Sequence, residues 1–375
     1  MIDFNLPYLT GDEEKHIFEA VRNGKISGNG KHTNLCQEFF ENRYGFKKAL
    51  LTTSCTDALE MSALLSNLKV DDEVIVPSYT FVSSALAFVR ERAKIVFADS
   101  LPDHPNVDTS KLEALITSRT KVIVVVHYAG VACDMDVVMD LAKRYNLIVV
   151  EDAAQAIDST YKGKPLGSIG HFGTFSFHET KNIQCGEGGL LAINDEKYSH
   201  RAEIIWEKGT NRAEFFRGEV NKYGWVDIGS SFLPSEITSA YLYAQLLHIN
   251  EIQSKRKELW KRYFDLLKVL DEEGVLTLPE VPSYAINNAH MFFFITKGIE
   301  ERSRLISHLR KNGIHAVFHY LALHNSEYYL EKHDDRELPN SLRFENSLLR
   351  LPLFNDLKLD QVDFICESIK EFYRG

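Results

Sequence analysis

The fold is decided by residues 121–155, which read KVIVVVHYAGVACDMDVVMDLAKRYNLIVVEDAAQ. Two short apolar runs rich in valine and isoleucine, at 122–126 and 147–150, flank a segment at 135–145 whose apolar residues recur every three to four positions. Runs that are apolar throughout are typical of strands buried on both faces of a parallel sheet, and the helical spacing between them is typical of a crossover helix. The stretch therefore predicts a strand, a helix and a second strand parallel to the first.

The same plan extends towards the N-terminus. Apolar runs at 74–77 and 95–98 predict two further strands, and the segments 83–92 and 108–117 predict helices that connect strands. We therefore predict an α/β fold with a mostly parallel sheet and helices on both of its faces.

The C-terminal third is patterned differently, because a long helix-prone segment and two prolines are followed by a mixture of short strands and helices. The predicted elements are strands at 291–296 and 315–318 and helices at 302–312 and 360–373. We predict a large domain over residues 1–250 and a smaller C-terminal α+β domain over residues 251–375, with the N-terminal segment free to pack on the smaller one.

Composition and charge exclude several classes of protein. With 375 residues, 44% of them hydrophobic and 26% charged, the chain resembles an ordinary globular protein and not a fibre or a disordered tail. The net charge of −10 matches a nucleic-acid backbone poorly, so we predict no nucleic-acid partner. The five cysteines form no C-x-x-C pair, which favours a reducing compartment. Since the N-terminus is unlike a signal peptide and the apolar runs are short, we predict a cytoplasmic protein without membrane insertion.

Lys181 and Asp152 lie in sequence contexts that are typical of catalytic residues. Lys181 lies between an aromatic segment at 175–177 and a glycine-rich segment at 186–189. A lysine held there and partly desolvated has a lowered pKa and can attack a carbonyl carbon, although a solvated lysine fits the segment equally well. Asp152 follows a buried strand, where a carboxylate either caps a helix or pairs with the ring nitrogen of pyridoxal phosphate. The two residues together favour pyridoxal phosphate as the cofactor.

A hydroxyl-rich loop at residues 52–59 opens a predicted helix. Its free backbone N–H groups and the helix dipole suit a phosphate dianion, although a capping box between Ser54 and Asp57 produces the same pattern. Phe81 follows a strand and suits either stacking on a flat cofactor ring or simple core packing.

Three histidines near the C-terminus raise the question of a metal. His315 and His319 are four residues apart, but they lie on a strand-like segment without the glutamate of an H-E-x-x-H motif and without a third carboxylate nearby. We therefore predict no metal and favour contact of His315, His319 and His324 with a substrate. The basic and aromatic segment at 206–218 is interpreted as a loop that contacts a partner or solvent.

Several stretches resemble the motifs of the DegT/StrS-type sugar-nucleotide aminotransferases in sequence, order and spacing. The stretches are residues 53–59, 77–81, 151–155 and 176–182. The resemblance covers nearly the whole chain. Four further stretches of the sequence resemble one branch of that family, which makes dTDP-4-amino-4,6-dideoxy-D-galactose for lipopolysaccharide and enterobacterial common antigen. These stretches are residues 207–212, 227–231, 288–292 and 317–320.

The resemblance implies a fold-type I pyridoxal-phosphate transferase that works as a homodimer, with each active site completed by the other subunit. It implies that Lys181 binds the cofactor covalently and that Asp152 pairs with the pyridine nitrogen. Gln155 would contact the region of the ring hydroxyl, and Phe81 would stack on the ring. The phosphate is expected to be bound by Ser54, Cys55, Thr56 and Ser176. Ser231 is expected to contribute as well, because it stands where many members have an asparagine that reaches the phosphate bound by the partner subunit.

The implied reaction moves an amino group from L-glutamate to the C4 ketone of dTDP-4-dehydro-6-deoxy-D-glucose, with Lys181 transferring the proton. Amination at C3, formation of the gluco epimer at C4 and a non-catalytic regulatory role on the same scaffold are the alternatives. A related branch has histidine in place of the lysine and catalyses dehydration, and Lys181 argues against that activity. The pocket for the sugar nucleotide is expected to include Asn29, His178, His319, Tyr320 and His324.

Overall fold

The computed structural model describes residues 1–374, which form an α/β structure around one large sheet and two small ones. The strands are β1 (Lys48–Thr52), β2 (Glu73–Pro77), β3 (Lys94–Ala98), β4 (Thr120–Val126), β5 (Ile148–Asp152), β6 (Thr160–Tyr161), β7 (Lys164–Pro165), β8 (Phe172–Ser176), β9 (Gly189–Ile193), β10 (Ala285–Ile286), β11 (Phe292–Ile295), β12 (Val317–Phe318) and β13 (Leu348–Leu351). The helices are α1 (Glu13–Arg22), α2 (Lys31–Tyr44), α3 (Cys55–Leu65), α4 (Ser83–Arg90), α5 (Met135–Tyr145), α6 (Ser199–Trp206), α7 (Arg212–Phe216), α8 (Glu236–Leu247), α9 (Ile249–Glu272), α10 (Ile299–Lys311), α11 (Pro339–Ser347) and α12 (Leu359–Arg374).

The large sheet has seven strands in the order β1-β9-β8-β5-β4-β2-β3. Strand β9 runs antiparallel to both of its neighbours, and the pairs β8-β5, β5-β4, β4-β2 and β2-β3 are parallel. The prediction of a mostly parallel sheet in an α/β fold is therefore confirmed. Because β1, β8, β5 and β4 point the same way, their carboxyl ends meet at one edge of the sheet, where ligands bind in folds of this kind.

Strand β4 shows why the sheet needs helices on both faces. Side chains alternate between the two faces of a strand, and Ile123 and Val125 belong to one hydrophobic core while Val122 and Val124 belong to another. All four are almost completely buried. A continuous run of branched apolar residues is therefore required at this position, as the sequence pattern indicates.

The C-terminal part of the chain has its own hydrophobic core, in which α9, α10 and α12 pack on the antiparallel sheet β11-β13-β12. Helix α9 is 24 residues long and runs through the predicted boundary at residues 250 and 251. The N–H of Ile2 donates to the carbonyl of Gly313 at 2.7 Å, and the N–H of His315 donates to Ile2 at 3.0 Å, so the N-terminal segment contacts this part of the chain. The division at residue 250 itself stays a prediction.

The helix predicted at 108–117 is replaced by two short 3₁₀-helices, Thr109–Lys111 and Glu113–Leu115. The Asp108 carboxylate accepts a hydrogen bond from the N–H of Ser110, two residues on, and this local contact favours a tight turn over the start of an α-helix. Among residues 1–374, no helix combines the length and the apolar character that crossing a lipid bilayer requires.

Candidate active site

A cavity of about 1060 Å³ lies at the carboxyl ends of β4, β5 and β8 and beside the start of α3. Most of the residues that the sequence analysis singled out line it. They are Ser54, Cys55, Thr56, Phe81, Asp152, Gln155, Ser176, His178, Lys181, His319 and Tyr320. Residues far apart in the chain thus meet in one concave site of the size of a small-molecule pocket.

Lys181 is presented to the cavity by a loop that connects β8 to β9. The N–H of Phe177 donates to Gly188 at 2.8 Å, and the N–H of Cys185 donates to Phe177 at the same distance, so the loop is pinned at its base. Ile183, two residues after the lysine, is completely buried. Lys181 is half-buried, and burial, with a smaller contribution from the positive charge of Arg350, lowers the pKa of its amine. The lysine is therefore held in place and is a better nucleophile than a solvated lysine.

Asp152 ends β5 and is buried. Its Oδ2 accepts a hydrogen bond from the Ser84 hydroxyl at 2.6 Å, and its Oδ1 accepts from the N–H of Ala154 at 3.2 Å. Burial raises the pKa of the carboxyl, against the opposing effect of these hydrogen bonds and of the Lys181 charge. Among the described residues no cationic side chain lies within ion-pairing distance of Asp152. A protonated ring nitrogen would supply the partner that this buried carboxylate lacks.

Helix α3 begins at Cys55 and turns its N-terminus towards the cavity. Ser54 caps the helix, because its hydroxyl accepts from the N–H of Asp57 at 3.1 Å. The N–H groups of Cys55 and Thr56 donate no hydrogen bond within residues 1–374. The cap and an anion site therefore coexist, and the free N–H groups suit a phosphate group.

Gly189, the first residue of β9, allows the start of α3 to lie close to the large sheet. A Cβ at this position would collide with the backbone of Ser54, so a side chain here would push the start of α3 away from the sheet. The position of the helix N-terminus thus depends on a glycine in a neighbouring strand.

Gln155 and Tyr320 form a polar wall. The Gln155 side chain accepts from the N–H of Ala129 at 2.6 Å and donates to the Tyr320 hydroxyl at 3.0 Å. Tyr320 has a φ of 45°, an unusual conformation for a tyrosine, and the ring of Phe81 lies 6.2 Å from its own. Phe81 is 55% exposed at the rim of the cavity, free to contact a flat ligand.

His319 and His178 both line the cavity. Burial lowers the pKa of His319 well below its usual value, and the Tyr128 hydroxyl lies 2.8 Å from its Nδ1, so the ring is neutral. His178 is half-buried and contacts the hydroxyl of Thr180 at 3.0 Å.

Three of the predicted site residues lie outside the cavity of this chain. His324 is buried and its Nδ1 lies 2.6 Å from the Ser78 hydroxyl, so it is a packed, hydrogen-bonded side chain. Asn29 donates to the Glu207 carboxylate at 2.8 Å. Ser231 is exposed and its backbone pairs with that of Glu207. Asn29 and Ser231 thus both contact Glu207, Asn29 through the carboxylate and Ser231 through the backbone.

Arg350 and His290 line the cavity and were not anticipated. Arg350 lies in β13, and burial lowers its pKa. Its Nε has no hydrogen-bond partner in residues 1–374. The signal in the sequence was a single arginine within the apolar run at 348–353. His290 pairs with the Asn182 side chain at 2.9 Å. It lies in the stretch 288–292 that resembles the branch motifs, but the sequence pattern assigned it no role of its own.

The residues around this cavity fit pyridoxal phosphate. A lysine, a buried carboxylate without a cation and a helix N-terminus with free N–H groups correspond to the aldehyde, the ring nitrogen and the phosphate of that molecule. Each of the three features also occurs singly in proteins without this cofactor. Their arrangement around one cavity is what makes the match specific.

Comparison with known proteins also indicates an aminotransferase that uses pyridoxal phosphate. A model of the DegT/DnrJ/EryC1/StrS aminotransferase family matches residues 7–370. GDP-perosamine synthase from Escherichia coli O157:H7 is 32% identical, over 98% of this chain and 97% of that protein. UDP-4-amino-4-deoxy-L-arabinose–oxoglutarate aminotransferase from Shewanella sediminis is 30% identical, over 97% of this chain and 96% of that protein. The structure of Spr1654 from Streptococcus pneumoniae in its PLP form superposes with a TM-score of 0.90 at 26% identity, covering 99% and 98% of the two chains. The names of these two relatives differ from the galactose-forming branch that the sequence motifs resemble.

Proposed function

The chain belongs to the DegT/DnrJ/EryC1/StrS aminotransferase family, and from that premise we propose that it moves an amino group from L-glutamate to the C4 ketone of a sugar nucleotide. It is an aminotransferase of fold type I whose cofactor is pyridoxal phosphate. The proposed acceptor is dTDP-4-dehydro-6-deoxy-D-glucose, and the product is dTDP-4-amino-4,6-dideoxy-D-galactose. The observation that carries the proposal is the position of Lys181, Asp152 and the start of α3 around one cavity.

When bound, pyridoxal phosphate supplies a carbon that carries the amino group and a ring that takes up the electron pair left by a departing proton. In our proposal Lys181 anchors the cofactor and, once released, moves a proton between substrate and cofactor. Its lowered pKa leaves part of the amine unprotonated, as a general base requires. Asp152 keeps the ring nitrogen protonated, and the N–H groups of Cys55 and Thr56, with the hydroxyl of Ser176, bind the phosphate.

The amino donor needs a cationic contact for its carboxylate groups. Arg350 has an unpartnered Nε, lines the cavity and faces no ion-pairing carboxylate among the described residues. Arginine binds carboxylates in a planar two-point contact. We therefore assign to Arg350 the binding of a donor carboxylate, and the name of the Shewanella relative, an oxoglutarate aminotransferase, supports glutamate as the donor.

The C4 position of the acceptor is supported by the same relative, which is named for a 4-amino-4-deoxy sugar. His178, His319 and Tyr320 line the cavity and are proposed to contact the sugar nucleotide. The names of the two relatives refer to a GDP-linked and a UDP-linked sugar, so the base of the nucleotide is the least constrained part of the proposal.

The test is an assay of the purified holoenzyme with glutamate and a panel of dTDP-, UDP- and GDP-linked 3-keto and 4-keto sugars. We expect release of 2-oxoglutarate only with a 4-keto sugar and fastest with the dTDP-linked one. NMR coupling constants at the aminated carbon of the product distinguish the galacto from the gluco configuration. The variant Lys181→Ala should lose both turnover and the absorbance of the lysine-bound cofactor.

Each other outcome of this assay has a defined meaning. Fastest turnover of a 3-keto sugar, or a gluco product, would replace the proposed substrate by one of the alternatives. No 2-oxoglutarate release with any keto sugar, from a wild-type enzyme that binds cofactor, would contradict the proposed reaction and support a regulatory role.

We also propose that two copies of this chain share their active sites. The loop region around α7 exposes large apolar side chains, with Trp225 85% exposed and Phe216 69% exposed. Such residues normally lie against a partner. Ser231 and Asn29 lie in the same region, through their shared contact with Glu207, and in this proposal they complete the cavity of the other subunit.

A further inference from the structure

Two histidines and a glutamate meet outside the cavity, between α1 and α2. His16 and Glu19 are three residues apart on α1 and therefore project from the same face of that helix. His32 lies in the first turn of α2. The Oε2 atom of Glu19 lies 3.8 Å from Nδ1 of His16 and 3.7 Å from Nε2 of His32. One ligand atom from each of the three residues lies within 4.8 Å of the other two.

The four ring nitrogens of the two histidines have no hydrogen-bond partner among residues 1–374. His32 is completely buried and His16 is only 8% exposed. Both rings pack edge-on against Tyr243, with ring centres 5.2 and 6.1 Å away, which accounts for where the rings lie but leaves their nitrogens without partners. Buried polar atoms are nearly always paired, and each neutral imidazole offers one nitrogen with a lone pair and one N–H. Two unpaired imidazoles beside a carboxylate therefore indicate a site where one nitrogen of each ring can bind a cation.

Two carboxylates, those of Glu19 and Glu236, lie beside the histidines. Glu19 binds Lys31 through Oε1, which leaves Oε2 turned towards the histidines. Glu236 is buried and fixed by the N–H groups at the start of α2, and its Oε2 lies 3.8 Å from Nδ1 of His32, the nitrogen on the opposite side of the ring from Glu19. A carboxylate behind a histidine is the usual means of orienting a metal-bound imidazole.

We propose that Nδ1 of His16, Nε2 of His32 and Oε2 of Glu19 bind a divalent transition-metal ion, and that zinc is the best match. Two imidazoles and one carboxylate are a common zinc ligand set, whereas magnesium requires oxygen ligands. Ligand atoms on a tetrahedral zinc ion are separated by roughly 3.4 Å. The two separations from Glu19, 3.7 and 3.8 Å, are close to this value, and the ligand atoms of the set lie within 4.8 Å of one another. Side-chain rotations would bring the two histidine nitrogens to the tetrahedral separation, and a water molecule would complete the coordination.

The ion would cross-link helices α1 and α2. Helices α1 and α2 both pack on α8, and the segment between them carries Asn29, which contacts Glu207. No residue of the cluster lines the cavity. The expected effect of the ion is therefore on the stability of this helical layer and not on the chemical step. His16 and His32 are sixteen positions apart and form no motif, so the sequence alone does not indicate that they meet.

The test is a zinc titration of the holoenzyme after dialysis against a chelator, in competition with a chromophoric chelator. We expect about one tightly bound zinc ion per chain, unaffected by an excess of magnesium. The variant His32→Gln should weaken zinc binding by more than about 100-fold, since even the outer partners of metal ligands contribute 10- to 100-fold. The matched control His200→Gln changes an exposed histidine that is also paired with a glutamate, and it should bind zinc as the wild type does.

Thermal unfolding provides a second measurement. Zinc at saturating concentration should raise the Tm of the wild type and of His200→Gln by about 3 °C and leave that of His32→Gln unchanged. If His32→Gln loses the absorbance of the bound cofactor and is therefore misfolded, the half-exposed Glu19→Gln replaces it, with an expected loss in zinc affinity of at least about tenfold. A folded wild type that binds no zinc, or variants that bind it as tightly as the wild type, would overturn the proposal.

Discussion

At the scale of single residues, the carboxylate of Asp152 is buried without a cationic side chain to pair with among the described residues. Burial raises the pKa of its carboxyl, while the Ser84 hydroxyl and a backbone N–H favour the charged form. Asp152→Asn removes the charge that, in our proposal, keeps the ring nitrogen protonated. We expect kcat to fall by at least 1000-fold, roughly 4 kcal/mol of transition-state stabilisation, while cofactor still binds. The control Asp136→Asn changes an exposed carboxylate on α5, and a comparable loss in that variant would contradict a specific role for Asp152.

The lowered pKa of Lys181 predicts a pH dependence. Only the unprotonated amine attacks the cofactor aldehyde, so the rate at which the cofactor-free enzyme takes up pyridoxal phosphate should rise with pH and reach half its maximum below 10.5, the ordinary value for lysine. Arg350→Gln removes a nearby positive charge, which raises the pKa of Lys181 and should move this midpoint to higher pH. Stopped-flow absorbance measures the rate, and Arg262→Gln, at the exposed pair with Asp363, is the control. A midpoint that Arg350→Gln leaves in place would show that the charge does not act on the lysine.

At the scale of elements, the start of α3 depends on a contact with β9. Gly189→Ala places a methyl group against the backbone of Ser54, and neither segment can move without breaking the sheet or the helix cap. Such overpacking costs about 1–3 kcal/mol and shifts the N–H groups that face the phosphate. We expect a lower Tm and a weaker affinity for pyridoxal phosphate, measured by equilibrium dialysis. Gly224→Ala, where a Cβ meets nothing within 4 Å, is the control. Equal affinities in the two variants would contradict the phosphate site.

The elements also show how far sequence reasoning reaches. Strands β4 and β5 were predictable because burial on both faces demands an unbroken run of branched apolar residues. The same reasoning found the edge of the sheet where Asp152 lies. Strand β13 was missed because a run of four residues interrupted by Arg350 has neither alternation nor length. The pair His16 and His32 was missed because it exists only once α1 packs beside α2, and a contact between helices leaves no local pattern in the sequence.

At the scale of the whole molecule, Arg256 on α9 links the C-terminal core to the cavity. Its guanidinium is buried and donates to the carbonyls of Ala289, His290 and Leu353 at 3.1, 2.6 and 3.2 Å. Arg256→Met keeps much of the side-chain length but leaves three buried carbonyls unpaired, which we expect to cost about 3 kcal/mol. Because His290 lines the cavity, the KM for the sugar nucleotide should rise as well. Calorimetry and steady-state kinetics measure the two effects. Arg262→Met, on the exposed face of α9, should change neither, and a similar loss in both variants would show that Arg256 is not special.

The proposed sharing of active sites between two subunits predicts how mixtures of two inactive chains behave. Lys181→Ala removes the amine that we propose is catalytic, and Ser231→Trp adds a large side chain to an exposed position that we propose faces the other subunit. Each homodimer should be nearly inactive, because both of its cavities carry the defect. When the two chains are co-expressed in equal amounts, half of the dimers are mixed. In each mixed dimer one cavity collects both substitutions while the other carries neither, so activity should recover to about one quarter of the wild-type value. Light scattering after size exclusion checks that each preparation is dimeric. If Ser231→Trp alone remains fully active, or if the mixed preparation gains no activity over its parents, each cavity is built from one chain and the proposed exchange of residues between subunits is wrong.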